Sequence, residues 1–228
     1  MSSEPAAGTA IVPYSHASQF SEKLRLPTRT FTLAGKEVVV RQAWKADSRG
    51  GSALGFGASV YPAAFVLAEW LCRHDDVVAG KVVVDVGAGI HALSSIAAGL
   101  AGCEAVYATD GDEGLLAGMQ GNLDANLPAA FPAFARQLVW GDKAQLEALP
   151  PPDDRRVVIG SDIAALPYAE AFDPLVDTFV DLCGVHGVVY LSFQVRHHVE
   201  SGFWGRLGAK FTVSEPFTDL HPDFNAPG

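Results

Sequence analysis

Basic residues are scarce in this sequence, which has 16 lysines and arginines against 26 aspartates and glutamates and a formal net charge of -10. The basic residues are also scattered rather than gathered in a patch. This composition argues against unaided binding to a nucleic-acid backbone, which requires clustered positive charge. It is compatible with a basic protein or peptide as the partner.

Cysteines are few as well. The three present, Cys72, Cys103 and Cys183, lie far apart and form no zinc-binding spacing, so we expect reduced thiols and no metal site. No apolar run reaches the roughly 18 residues of a membrane span, and the first residues lack the pattern of a secretory signal. We therefore expect a cytoplasmic or nuclear protein without a membrane partner.

The chain has 228 residues, of which 49% are hydrophobic. This is enough to form the buried core of one α/β domain. Residues 1–26 are rich in Ser, Ala, Gly and Pro without sustained periodicity, so we predict a flexible tail there and a single domain over 27–228. The domain is predicted to begin with a β-hairpin, since apolar residues alternate within 31–40 across a short turn.

Strand and helix patterns alternate through the rest of the domain. Short runs rich in Val and Ile predict strands at 82–86, 105–109, 137–140, 157–161, 187–193 and 210–215. Helical spacing of apolar residues predicts helices at 62–72, 92–100, 112–126 and 169–183. Such alternation is typical of right-handed crossovers and of an open, doubly wound, mostly parallel sheet.

The most informative segment is 82–89, in which a Val-rich strand containing Asp85 runs directly into the turn Gly87-Ala88-Gly89. A strand with little polar alternation is buried on both faces, so its loop opens into the crevice at the carboxyl end of the sheet. Two glycines let the backbone turn tightly and approach a ligand closely. The segment favours a nucleoside-binding turn, although a ligand-free strand-to-helix connection would also suit these glycines.

Two kinds of nucleoside ligand fit this turn. Residues 87–92 satisfy the dinucleotide pattern, and the acid Asp110 follows about 20 residues further on, so NAD fits the spacing. Asp85 would, however, face a pyrophosphate at a cost on the order of a few kcal/mol. S-adenosylmethionine has no phosphate and carries an ammonium and a sulfonium, so the residues favour it. The chain also has no recognisable catalytic Tyr/Lys or His pair of an NAD-dependent oxidoreductase.

Six motifs extend the pattern over about residues 31–217: Tyr61-Pro62-Ala63-Ala64 with 67–71, Asp85-Val86-Gly87-Ala88-Gly89, Ala108-Thr109-Asp110, 122–127, Leu138-Val139-Trp140-Gly141 and Gly160-Ser161-Asp162-Ile163. Their order and spacing resemble the seven-β-strand (class I) S-adenosylmethionine-dependent methyltransferases, and most closely the methyltransferase-like 21 type protein-lysine methyltransferases of methyltransferase family 16. The resemblance implies a Rossmann-like methyltransferase fold, S-adenosylmethionine as the cofactor and a lysine of a protein substrate as the methyl acceptor.

The resemblance also implies eight cofactor-binding residues: Tyr61, Asp85, Gly87, Ala88, Gly89, Asp110, Trp140 and Ser161. Asp110 would accept the ribose hydroxyls, and Trp140 would lie against the adenine. The glycine turn would pass under the methionine moiety, and Asp85 would hold the ammonium of that moiety. Tyr61 and Ser161 would lie at the rim of the site. From the residues alone, a helix N-cap for Asp110, a core aromatic for Trp140 and an interface residue for Tyr61 stay open.

The catalytic residues match the family's pattern less completely than the cofactor-binding residues do. Asp162 is the candidate for orienting the substrate amine, with a loop-capping aspartate as the alternative. The family's D-x-x-Y element ends here in Ala165, so Tyr168 would close the lysine channel only if the loop carries it back. His91 stands where the family commonly has another glycine, and an imidazole there is expected to push the next helix back or to point into the cofactor site.

The C-terminus shows a further departure, because no pattern for the family's last strand remains after 210–215 and one sheet edge is expected to stay open. The leading hypothesis is a protein-lysine methyltransferase. The alternative is a catalytically impaired pseudo-methyltransferase that acts as a protein-interaction module. The oligomeric state is left open.

Overall fold

The computed structural model describes residues 19–46, 52–152, 156–164, 169–194 and 200–214. Seven helices and seven strands in these ranges follow one another along the chain as α1 (Gln19–Leu24), β1 (Thr28–Leu33), β2 (Lys36–Arg41), α2 (Pro62–Arg73), β3 (Val82–Val86), α3 (Leu93–Leu100), β4 (Ala105–Asp110), α4 (Glu113–Asn126), β5 (Ala133–Gln137), α5 (Lys143–Glu147), β6 (Arg156–Ser161), α6 (Phe172–Cys183), β7 (Val188–Ser192) and α7 (Glu200–Gly208). Single 3-10 turns lie at Phe56–Ala58, Asp75–Val77 and Ala169–Ala171.

The central sheet has five strands in the order β5-β4-β3-β6-β7, and all four pairings between them are parallel. The Val-rich β3 lies in the middle, where both of its faces are covered. The predicted fold class is confirmed: a doubly wound, mostly parallel α/β sheet with a separate antiparallel hairpin, β1-β2, near the N-terminus.

The strand order reverses at β3. The chain adds β4 and β5 on one side of β3 and then crosses to add β6 and β7 on the other side. Doubly wound sheets bind ligands in the crevice at the carboxyl ends of the strands beside such a reversal. Here the strands that end at this crevice are β3, β4 and β6, whose last residues are Val86, Asp110 and Ser161.

Helices cover both faces of the sheet. One face packs on α2 and α3 in an apolar cluster that includes Val83 of β3, and the other packs on α6 and α7 in a cluster that includes Val84 and Val86. Because side chains alternate along a strand, Asp85 lies on the same face as Val83, towards α3.

The hairpin closes through a two-residue turn, Ala34 and Gly35, with φ of 49° and 72°. Two positive φ values are the signature of a type I′ turn, which matches the twist of the flanking strands. The hairpin docks on α4, where the Asn122 side chain exchanges two hydrogen bonds with the backbone of Arg41 at 2.8 and 3.0 Å. Among the described residues, no helix is both long and apolar enough to cross a bilayer.

Two predicted strands are wrong: one forms at other residues, and the other is not found among the described residues. β5 forms at Ala133–Gln137 instead of 137–140, because its ladder with β4 ends at the pair Asp110 and Gln137. The strand predicted at 210–215 is absent from residues 210–214. The backbone N–H groups of Lys210 and Phe211 instead donate to the Leu207 carbonyl at the end of α7.

Part of the predicted tail is ordered and packed on the domain. Residues 19–24 form α1, the Ser59 hydroxyl donates to the Leu24 carbonyl at 2.7 Å, and the Gln42 amide donates to the Lys23 carbonyl at 2.9 Å. These contacts anchor α1 beside the hairpin. The division into a tail and a single domain over 27–228 stays a prediction.

Candidate functional site

The glycine turn after β3 lies against two other segments of the chain. Gly87 and Gly89 have φ of 69° and 63°, values that favour glycine. A Cβ on Gly87 would lie 2.5 Å from Ile163 Cγ2, and a Cβ on Gly89 would lie 3.0 Å from the Gly57 carbonyl oxygen. Because these two glycines have no side chains, Ile163, which follows β6, and Gly57, which precedes α2, can pack closely on the turn.

Asp110 ends β4 beside this turn. Its Oδ2 accepts a hydrogen bond from Gly89 N at 3.1 Å, and its Oδ1 accepts one from Asp112 N at 3.1 Å. Burial raises the pKa of Asp110, and the two backbone donors oppose that rise. Asp112, not Asp110, caps α4, because the Asp112 side chain accepts from Gly114 N. Each Asp110 oxygen has a further lone pair with which it can bind a ligand hydroxyl.

A cleft of about 380 Å³ opens beside Asp110. It is lined by Asp110, Gly111, Leu138, Val139, Trp140, Ala171 and Pro174. Trp140 is half-buried, and its Cζ2 lies 3.9 Å from the position that a Cβ on Gly87 would take. The cleft therefore places an aromatic side chain beside the Asp110 carboxylate, and its size suits a nucleoside-sized ligand.

Asp85 is 1% exposed and lies behind the turn. Its Oδ2 accepts from the Ser95 hydroxyl at 2.7 Å, whereas no described residue hydrogen-bonds its buried Oδ1. Burial and, to a smaller extent, the nearby Asp110 raise the pKa of Asp85 to about 7. A buried, incompletely paired carboxylate at this place disfavours an anionic ligand on the turn and favours a cationic one.

The two predicted rim residues, Tyr61 and Ser161, lie on different elements of the fold. Tyr61 is half-buried immediately before α2, and its ring meets the exposed Phe56 ring edge-on at a centroid distance of 6.4 Å. Ser161 is the last residue of β6 and pairs with Ser192. Tyr61 thus lies at the start of α2, and Ser161 lies at the carboxyl end of the strand next to β3.

Asp162 follows directly in an unusual backbone conformation. Its φ is 59°, a region that costs most side chains energy and that aspartate tolerates better than most. Asp162 N donates to Ser192 O at 2.7 Å, and Asp162 Oδ1 accepts from Gln194 N at 3.2 Å. Its carboxylate thus joins the loops after β6 and β7. Ala165 and Tyr168 lie outside the described residues.

His91 fits without opening the structure, contrary to the expectation that it would push the next helix back. Its side chain is buried, and its Nδ1 accepts from Leu93 N at 3.1 Å. Leu93 and Ile96 of α3 remain fully buried, so the helix packs closely on the sheet. The imidazole lies beside the turn, with Nε2 3.1 Å from the position of a Cβ on Gly89.

Sequence reasoning missed two residues that shape the site. The Gly57 carbonyl accepts a hydrogen bond from Ile90 N at 2.8 Å, and the Ile163 side chain covers Gly87. Gly57 lies in a glycine-rich stretch that carries no local signal for this contact. Ile163 belongs to a recognised motif, but its contact with a turn more than 70 residues away depends on the tertiary fold.

The parallel sheet, its glycine turn and the acid at the end of the neighbouring strand together define a Rossmann-like domain of the class I methyltransferase type. A family profile described as "Lysine methyltransferase" matches residues 44–210. The chain is 31% identical over 219 residues to the mouse Protein N-lysine methyltransferase METTL21A, covering 93% of this chain and 94% of that one. The chain belongs to this lysine methyltransferase family.

Two other similarities agree with that membership. The mouse EEF1A lysine methyltransferase 3 is 30% identical over 191 residues, covering 83% of this chain and 78% of that protein. The solved structure of SMU.776, a putative methyltransferase complexed with SAH, aligns with a TM-score of 0.59 at 17% identity. That alignment covers 88% of this chain and 52% of the solved chain, and it supports the fold alone.

Proposed function

We propose that this protein transfers a methyl group from S-adenosylmethionine to a lysine side chain of a protein substrate. The observation that carries the proposal is the hydrogen bond between Asp110 and Gly89 N, which places a carboxylate and a bare backbone turn side by side in the crevice. Membership of the lysine methyltransferase family supports the choice of acceptor.

The residues of the crevice fit this cofactor better than a dinucleotide. A pyrophosphate on the turn would face the carboxylate of Asp110 in a partly dry site, where like charges repel strongly, and each ionisation of Asp85, whose pKa is about 7, would add to that repulsion. The orphaned Oδ1 of Asp85 is a ready acceptor for an ammonium group, directly or through a water molecule. The cleft beside Asp110 has room and an aromatic wall for a nucleoside.

The cofactor contacts follow from these positions. Asp110 would accept the ribose hydroxyls with its remaining lone pairs, Trp140 would lie against the adenine, and Asp85 would hold the ammonium. Gly87, Ala88 and Gly89 would pass under the methionine moiety, which their bare backbone allows to approach. Tyr61, directly before α2, and Ser161, the last residue of β6, would border it on these two sides.

The chemistry asks the protein for alignment and exclusion of water rather than for covalent catalysis. When bound, the cofactor supplies a methyl group already activated by the sulfonium. Ile163 and Trp140 flank Gly87 and would keep water from the reacting atoms. Asp162, fixed by its bonds to the loop after β7, would orient the substrate amine. Desolvation in the crevice would lower the pKa of that amine from its ordinary value of about 10.4. Tyr168 stays a proposed wall of the lysine channel.

The partner and compartment are proposed on charge and on thiols. A net charge of -10 suits a basic segment of a protein substrate better than a nucleic acid. Cys72, Cys103 and Cys183 are free thiols, as is usual in the reducing cytosol or nucleus. We place the protein in one of these two compartments.

A methyl-transfer assay tests the function. The purified protein is incubated with S-adenosylmethionine labelled in the methyl group and with a protein extract, and the labelled amino acid is identified after acid hydrolysis. We expect label in methylated lysine, lost with the isosteric variant Asp110→Asn. Label in another amino acid, or cofactor binding without any transfer, would contradict the proposal, and the second result would favour a non-catalytic interaction module.

A further inference from the structure

Two aromatic rings, those of Phe193 and Trp204, lie together at the carboxyl end of β7, and the site described above makes no use of them. Phe193 is the residue directly after β7, and Trp204 lies in α7. Their ring centroids are 4.4 Å apart, and the ring planes are inclined at 44°. Both side chains are half-buried, so each ring keeps surface that another group can contact.

The backbone of Phe193 lies directly beside Asp162. The parallel ladder of β6 and β7 ends at the pair Ser161 and Ser192. Beyond it, Asp162 N donates to the Ser192 carbonyl at 2.7 Å, and Gln194 N donates to Asp162 Oδ1 at 3.2 Å. Both neighbours of Phe193 thus bond Asp162, so Phe193 continues the register as the partner of the residue proposed to orient the substrate amine.

The Phe193 ring lies on the face of the sheet that α6 and α7 cover. Leu191, two residues earlier, packs on that face, and side chains two residues apart in an extended chain point to the same side. The contact with Trp204 of α7 agrees with this direction. Among the described residues, Phe193 belongs to neither of the two apolar clusters that pack the sheet. Packing of the core therefore does not account for an aromatic ring at this position.

Ile163 extends from the glycine turn to the same face. Its Cγ2 lies 2.5 Å from the position that a Cβ on Gly87 would take. Its Cδ1 lies 2.6 Å from the corresponding position on Gly160, a point that is 3.2 Å from Leu191 Cδ2. Phe193 follows Leu191 by two residues, about 7 Å along an extended chain. The aromatic pair therefore lies one step beyond Ile163 on the path that leads outward from the turn.

The Trp204 ring is held by aromatic contacts that reach the core. It meets the Phe203 ring at 4.9 Å and 77°, and Phe203, which is fully buried, meets Phe172 of α6 at 5.7 Å and 61°. Edge-to-face pairs are favourable at such distances. The core thus fixes the orientation of Trp204 before any ligand binds.

We propose that Phe193 and Trp204 bind the side chain of the substrate lysine and direct it towards Asp162. A lysine carries a four-carbon stem and a cationic end. Aromatic faces pack against the stem whether the amine is charged or neutral, and they attract the ammonium before it loses its proton. The inference rests on the proposed function, and it adds a subsite for the methyl acceptor to a crevice whose other contacts serve the cofactor.

Leucine substitutions test the pair, because they remove an aromatic face and keep apolar bulk. Phe193→Leu and Trp204→Leu are compared with the wild type in the methyl-transfer assay at several concentrations of the protein extract. Calorimetric titration measures the binding of S-adenosylhomocysteine, the demethylated cofactor. Phe134→Leu is the matched control, since Phe134 forms a half-buried pair with Tyr107, at 5.1 Å, on β5 and β4. Trp204→Phe keeps an aromatic face.

We expect each of the two leucine variants to raise the apparent KM for the extract about 3- to 30-fold, the range for loss of an aromatic contact with a cationic side chain, and to leave the dissociation constant of S-adenosylhomocysteine within about twofold. Trp204→Phe should retain most of the wild-type rate at low extract concentration. Phe134→Leu should match the wild type in both measurements.

Unchanged transfer by both leucine variants would overturn the inference. A loss of S-adenosylhomocysteine affinity as large as the loss of transfer would also overturn it, because the pair would then shape the cofactor crevice. Thermal unfolding shows whether each variant is folded, and Phe193→Leu decides the matter if Trp204→Leu is not. Unfolding of both would assign the pair to the core and overturn the inference. Wild-type protein that labels no lysine would contradict the proposed function itself, and the inference would fall with it.

Discussion

At the scale of single residues, Asp85 shows how position decides what a carboxylate does. It ends a run of three valines, and strand alternation places it in the apolar layer against α3 instead of at the surface. One Ser95 hydroxyl satisfies one oxygen, and the other is left without a described partner. A group in that position holds its proton more tightly than a free aspartate does.

The raised pKa of Asp85 predicts how stability depends on pH. The ordinary pKa is 3.8, and the folded value is about 7, so between these values the folded protein binds a proton that the unfolded chain has lost. The free energy of unfolding therefore falls as pH rises through this window, by on the order of a few kcal/mol. Urea titrations at several pH values measure this change.

The matched variant for this measurement is Asp85→Asn, which has nearly the same shape and does not titrate. The difference in unfolding free energy between wild type and variant should shift in the variant's favour as pH rises from about 4 to above 7. A difference that does not change across this range would show that folding does not raise the pKa of Asp85, contrary to this prediction.

At the scale of elements, the long and strongly patterned segments could be predicted from the sequence, and the contacts between them could not. The strand at 82–86 coincides with β3 because its valines are bounded by Lys81 and Gly87. β5 was misplaced because Leu138, Val139 and Trp140 are more apolar than the true strand. The end of β4, a partner far away in sequence, decides where that ladder stops.

The side chain of Asn122, in α4, connects this helix to the hairpin and to the residue that follows the glycine turn. It is 1% exposed, and its amide bonds the backbone of Arg41 and the carbonyl of Ile90. Asn122→Ala leaves the buried Ile90 carbonyl and the part-buried backbone groups of Arg41 without this partner and is expected to cost about 2 kcal/mol of stability. Chemical denaturation measures the loss.

Asn126, one turn further along α4, provides the matched control. It bonds the backbone of Val39 in the same manner but at exposed positions, where water can replace the lost partner. Asn126→Ala should therefore cost about 1 kcal/mol or less. Similar losses in the two variants would mean that the burial of Asn122 is not what gives its contacts their strength.

At the scale of the whole molecule, the fold brings together residues that are far apart in sequence. Most of these contacts within the site could be predicted from the sequence. Asp85, Asp110 and Ser161 lie at or near the carboxyl ends of three parallel strands, and such ends meet at one edge of a sheet. The closing of Gly57 and Ile163 on the turn could not be foreseen, because it depends on loops whose paths no local pattern fixes. His91 was expected either to push the next helix back or to point into the cofactor site, and the structure shows no displaced helix, because the ring packs beside Gly89, which has no side chain.

Whether the crevice beside Asp110 binds the cofactor can be measured by calorimetric titration of the purified protein with S-adenosylmethionine and S-adenosylhomocysteine, repeated with Asp110→Ala. We expect the wild-type protein to bind both ligands and the variant to bind them about 10-fold or more weakly, since hydrogen bonds to a charged group are removed. Folded wild-type protein that binds neither ligand, or a variant that binds them equally well, would contradict this expectation.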